Sequence, residues 1–213
     1  MIKKGAISVV VIVATLAWAS PRLWSQSGGA SYTPGTGLAG SPHDFSRFGI
    51  SACGACHTPH HASKTVKSAP LWNHAMTQRT YKVYTSPTMN AQTGQPSEIS
   101  RLCLSCHDGS IAIDSYGRRN GTRYLSVADG AIAGDVEELS NDHPISFVYD
   151  SALASADKEL HDPTASPRTA ELLVDGKVEC TSCHDVHNSD AKDSKLLRVN
   201  NRGSTLCLTC HDK

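Results

Sequence analysis

Hydrophobic positions are spread unevenly along the chain. A continuous apolar run extends from Gly5 to Ala19, through Val9-Val10-Val11-Ile12-Val13, behind the positive pair Lys3 and Lys4. It closes on Ala17-Trp18-Ala19, a small-x-small pattern, and the whole reads as an export signal cleaved before Ser20. A spanning helix needs ~20 apolar residues. The run sits at the short end of that length, so a cleaved signal is expected over a retained anchor. Residues 25–41 follow as a Ser-, Gly- and Pro-rich arm (Ser27-Gly28-Gly29, Pro34-Gly35-Thr36-Gly37). Beyond it, helical patterns are short. Ser97-Glu98-Ile99-Ser100-Arg101-Leu102 predicts an N-cap and first turn, Ser204-Thr205-Leu206 predicts another, and Ala152–Leu160 predicts a third short helix. Elsewhere Gly, Pro, Asn and Ser break every longer pattern. The apolar supply is thin: Trp18 and Trp24 lie in or near the leading segment, and the chain has three Phe. Long loops around a weak core normally count against a compact domain. Something other than side chains is expected to supply the missing scaffold.

The cysteines say what. Cys-x-x-Cys-His occurs four times, as Cys53–His57, Cys103–His107, Cys180–His184 and Cys207–His211, and these copies use all eight cysteines. An exported chain with eight cysteines could carry a disulfide framework, and paired CxxC could build thiolate zinc sites. Neither explains a His directly after the second Cys in every copy. That sequence is the c-type haem attachment signal. Cys53, Cys56, Cys103, Cys106, Cys180, Cys183, Cys207 and Cys210 are expected to form thioethers to four haems c. His57, His107, His184 and His211 are placed to bind the irons from one face. In a helix, Cys at i and i+3 share a side, which suits two vinyl groups on one porphyrin edge. The expected fold is a multihaem cytochrome c: coil-rich, with a few short α-helices wrapped around a stacked tetrahaem chain and little or no β-sheet. Its parts are a signal at 1–19, an arm at 20–42 and a haem domain at 43–213. Thioether attachment takes place outside the cytoplasm in bacteria, in keeping with an exported protein of the periplasm, outer surface or exterior.

Charge excludes one class of partner. The full chain is neutral, but removal of residues 1–19 takes away Lys3 and Lys4 and no acid, leaving 18 basic against 20 acidic residues. No basic patch points to nucleic acid. After signal cleavage no stable membrane span is expected.

The halves echo each other. Cys53-x-x-Cys56-His57-Thr-Pro-His60 resembles Cys180-x-x-Cys183-His184-Asp-Val-His187, and Leu102–Asp108 resembles Leu206–Asp212. Two haem pairs are expected, in halves of about 43–120 and 140–213. Beyond the four motif histidines, seven remain: His43, His60, His61, His74, His143, His161 and His187. Besides the initiator, Met76 and Met89 are the only methionines, so Met/His ligation could reach two haems at most. Bis-His ligation throughout is the expectation. His60 and His187, each three residues after a motif His, are expected to reach a neighbouring haem, with His61 the competitor of His60. His74, in Pro70-Leu71-Trp72-Asn73-His74, and His143, in Asp142–Phe147, have apolar flanks able to cover a haem face. His161 reads as a turn residue. His43 follows the arm, and the last motif lies two residues from Lys213, so His43 is a candidate ligand to a terminal haem of a neighbouring copy.

The segments CHTPHH, PLWNH, LCLSCHDGS, HPISF, CHDVHN and LCLTCHD resemble the doubled-CxxCH multihaem c-type cytochromes, over roughly residues 43–213. Within them, the chain is similar to tetrahaem extracellular cytochromes that polymerise into conductive filaments. The resemblance implies alternating parallel and T-shaped haem pairs, and a distal His donated between subunits that would map to His43. It implies electron transfer in extracellular respiration, with other redox cytochromes or external acceptors as partners and a homopolymer through His43. A soluble periplasmic tetrahaem shuttle is the alternative. A membrane-anchored quinol dehydrogenase fits less well, because a cleavable signal and the 33 residues from Ser20 to Cys53 would hold the first haem away from the membrane. A haem reductase would need an open iron or an altered motif, so an electron carrier is expected rather than an enzyme.

Overall fold

The computed structural model describes residues 37–132, 137–188 and 195–213. The signal expected at 1–19 and most of the arm expected at 20–42 lie outside these residues. Coil dominates. The helices described are α1 (Glu98–His107), α2 (Ser151–Asp157), α3 (Pro167–Leu172), α4 (Cys180–Cys183) and α5 (Thr205–Cys210). The strands are two residues each: β1 (Lys82–Val83) pairs in parallel with β2 (Glu138–Leu139), and β3 (Phe147–Val148) pairs antiparallel with β4 (Lys177–Val178). No helix among the described residues is long and apolar enough to cross a membrane.

The expected helix starts are met, but their caps differ. Ser97 occupies the N-cap of α1, yet its hydroxyl makes no cap bond and is buried without a partner. The first turn instead serves a distant loop: the Glu98 carboxylate accepts the backbone N–H groups of Lys67 (2.8 Å) and Ser68 (2.7 Å). Before α5, Ser204 lies in the left-handed region (φ 61°) and does not cap; Asn201 Oδ1 accepts the Leu206 N–H at 3.2 Å. The helix expected over Ala152–Leu160 stops at Asp157, because Lys158 turns left-handed (φ 63°). Beyond that turn, the Glu159 carbonyl accepts the Asp212 N–H and the His161 N–H bonds the Cys210 carbonyl, both at 2.8 Å. Backbone pairing with the last motif has replaced helix extension. Helix α3 was not anticipated; Ser166 caps it, accepting from the Thr169 N–H, with Pro167 in the first turn.

The apolar core is divided. Leu104 packs with Tyr81 and Leu139, Leu102 with Val66 and Trp72, and Phe147, Tyr149, Leu153, Ala154 and Val178 form a third cluster. A buried Leu contributes about 1.5–3 kcal/mol, so none of these clusters alone makes a domain. The expected halves are interlocked: β1 pairs with β2, and α1 packs on α4.

Candidate haem sites

Each CxxCH forms one helical turn. The His N–H bonds the first Cys carbonyl in three copies: His57 to Cys53 (2.8 Å), His184 to Cys180 (3.0 Å) and His211 to Cys207 (2.9 Å). The second motif lies inside α1. Two cysteines separated by three residues therefore leave the same side of a turn.

A returning segment brackets the turn in the same way three times. Around the first motif, Thr58 N–H bonds Leu71 O and Asn73 N–H bonds Cys56 O. Around the third, Asp185 N–H bonds Leu196 O and Arg198 N–H bonds Cys183 O. Around the fourth, Glu159 and His161 do the same to Asp212 and Cys210. Leu71 (φ 55°) and Leu196 (φ 60°) share a left-handed backbone at matching positions. The second motif departs from this pattern. Its helix continues through His107, and Ile132 N–H bonds the His107 carbonyl instead.

The brackets also orient the imidazoles. Nδ1 of His57 meets Pro70 O (2.5 Å), that of His107 meets Gly130 O (2.7 Å) and that of His184 meets Lys195 O (3.0 Å). A carbonyl can only accept, so Nδ1 carries the proton and Nε2 keeps the lone pair that a metal needs. His143 is held alike, with Nδ1 against Pro144 O at 2.8 Å.

Three motif histidines face a second imidazole. Ring centroids are 6.3 Å apart for His57 and His187, 5.8 Å for His107 and His43, and 6.4 Å for His211 and His143. A metal–imidazole bond is about 2 Å long, so two ligands on opposite sides of one ion hold their ring centres about 6 Å apart. The spacing fits a bis-His iron in all three cases. His43 is seated inside its own chain, opposite His107, and not free on an arm. His184 faces no His ring at this spacing, although all eleven histidines are described. His74 is buried against Trp72, with Nδ1 at Ala75 O (2.7 Å) and Nε2 at Ala112 O (3.1 Å), and opposes no motif His. His60 and His61 are exposed. Asn73 Nδ2 donates to both of their carbonyls and ties that loop back, so the echo between His60 and His187 does not extend to their surroundings. His161 serves through its backbone, its carbonyl accepting the Tyr149 hydroxyl.

The first three motifs line one continuous groove of about 2010 Å³, with Leu102, Leu104, Trp72, Val178 and Leu196 among its apolar walls. The thiols run in chain order. Cys56 neighbours Cys106, Cys103 neighbours Cys180, and Cys183 neighbours Cys207 and Cys210 of the fourth motif. Burial pushes the unmodified Cys56 thiol up to about 11 and Cys106 to about 12. Among the described residues no three His, Cys, Asp or Glu converge on one point.

Two buried carboxylates were not singled out from sequence. Asp108 accepts the Tyr81 hydroxyl (2.7 Å) and the Thr77 hydroxyl (3.0 Å). Glu179 joins α1 to α4.

Burial, then the neighbouring His107, His184 and His187, lowers His43 from 6.5 to about 4. Its neutral form is thus favoured by folding. The unfolded chain takes up a proton below pH 6.5 while the folded chain resists until about 4.

The family description "Doubled CXXCH motif" matches residues 173–213, which hold the third and fourth motifs. No curated protein matches the chain. The match supports a multihaem c-type cytochrome that carries covalently bound haem c and acts in electron transfer.

Proposed function

We propose that the protein is an exported tetrahaem electron carrier whose haems follow one another in chain order. The observation that carries this is the continuous groove lined by the first three motifs, together with the packing of α1 on α4 that sets the second motif beside the third. Haem iron supplies reversible one-electron change. The chain holds and orients: His57 with His187, His107 with His43 and His211 with His143 would each hold an iron between them, at ring spacings that fit. His187 belongs to the third motif's segment and faces the first motif's His, which ties the two halves together. Electrons would enter from and leave to redox cytochromes or acceptors outside the cell.

The intact mass of the denatured protein should exceed the chain by four haem masses. Three or fewer, or bound zinc in their place, would sink the reading.

One observation favours a second form, a chain of copies. His184 has no His ring opposite it at the spacing of the other three motif histidines, and a ligand from a neighbouring copy would complete it. In such an assembly the junction would be at His184 or, as the sequence suggests, at His43. Electron cryo-microscopy of the native protein distinguishes filaments from the single particles of a soluble shuttle.

A further inference from the structure

Glu179 is 2 % exposed and stands immediately before Cys180, at the N-cap of α4. Its carboxylate Oε2 accepts the Ser100 hydroxyl at 2.5 Å and the Ser146 hydroxyl at 2.7 Å. At the start of α4, Ser182 Oγ accepts the Glu179 N–H and the Glu179 backbone carbonyl accepts the Ser182 N–H, both at 2.9 Å. Ser100, itself fully buried on α1, accepts the Cys180 N–H at 3.2 Å while donating to Glu179. Both described partners of the carboxylate are hydroxyl donors.

No ion pair among the described residues includes Glu179. The Arg198 guanidinium donates to the carbonyls of Glu171, Leu172 and Thr181, and Arg101 donates to Pro96 and Arg79 carbonyls. The carboxylate sits where α1 meets α4, the helices that bear the second and third motifs. Cys103 lies on α1 and Cys180 opens α4, so the carboxylate stands beside one attachment cysteine of each motif.

We propose that Glu179 is an electrostatic tuning residue for the two central haems, holding their potentials below the value the same ligands would give beside a neutral side chain. The inference rests on the multihaem reading. Oxidation of a haem removes one electron and leaves the site one unit more positive. A buried negative charge stabilises that product, and in a poorly screened interior the effect is far larger than at the surface. The bland alternative is a clamp: Glu179 holds α1 to α4 and its charge is incidental.

Glu179→Gln separates the two. The amide keeps an acceptor oxygen for the serines and removes the charge. In the holoprotein this variant should retain its full haem mass and shift the oxidised-to-reduced ratio of two haems about tenfold toward the reduced form, ~59 mV for a one-electron couple. Ser146→Ala, which removes a clamp bond and leaves the charge, should lower the melting temperature without raising any potential. Spectroelectrochemical titration of each variant reads both. Unchanged potentials in a folded Gln variant would overturn the proposal. If the Gln variant does not attach its haems, Glu179→Asp and Glu179→Asn repeat the comparison at equal length: a higher potential in the Asn variant supports the proposal, and equal potentials overturn it. A wild-type protein without haem would instead overturn the multihaem reading.

Discussion

A chain in which all eight cysteines are replaced by alanine is expected to show no cooperative unfolding transition. Its apolar side chains form three small clusters around α1, the β1–β2 pair and α2. A groove of about 2010 Å³ is lined by residues of all three, among them Trp72, Leu104 and Val178. Protein interiors are close-packed, with voids rarely larger than a water molecule, so this shape requires a large apolar occupant. Domains are stable by only about 5–15 kcal/mol, and loss of the shared core exceeds that margin. Circular dichroism of the variant should show mostly coil and a gradual, featureless melt. A sharp two-state transition close to that of the haem-bearing protein would show that the clusters suffice, and the haems would then be passengers on an independent fold.

His43→Ala is expected to leave the number of attached haems unchanged and to turn one low-spin iron into a high-spin one, even in dilute single particles. The reasoning is geometric. The His43 ring lies 5.8 Å from that of His107, the separation of two imidazoles sharing one ion, and burial keeps it neutral and able to coordinate. Electron paramagnetic resonance of the oxidised protein should gain a high-spin signal from one iron, and added imidazole should reverse it. If instead the single particles keep their spectrum and only an assembled form changes, His43 acts between copies and its seat against His107 is not a ligand position.

The four attachment motifs, their complete use of cysteine and the coil-rich character are all legible in the chain, because each depends on local chemistry. Thioether formation needs two thiols one helical turn apart followed by a His, and that spacing is written in consecutive residues. The start of α1 after Ser97 is local in the same sense. Cap details are less so: Ser97 and Ser204 have the right residue type, but Ser146, Asn201 and the 67–68 loop compete for the same groups.

The pairing of imidazoles is a tertiary matter. His57 and His187 stand 130 positions apart, and His43 and His107 are 64 apart. No periodicity links them; backbone bonds from distant segments bracket three of the motifs, and the second is held by the Ile132 N–H on the His107 carbonyl. His60 and His187 have the same local offset yet different fates, since Asn73 ties the carbonyls of the first loop. The buried Glu179 likewise reads as an ordinary acidic residue until Ser100 and Ser146, 79 and 33 residues away, close over it. Residue type and spacing determine what each turn can bind. Only loop closure, whose outcome depends on contacts distant in sequence, decides which groups share a site.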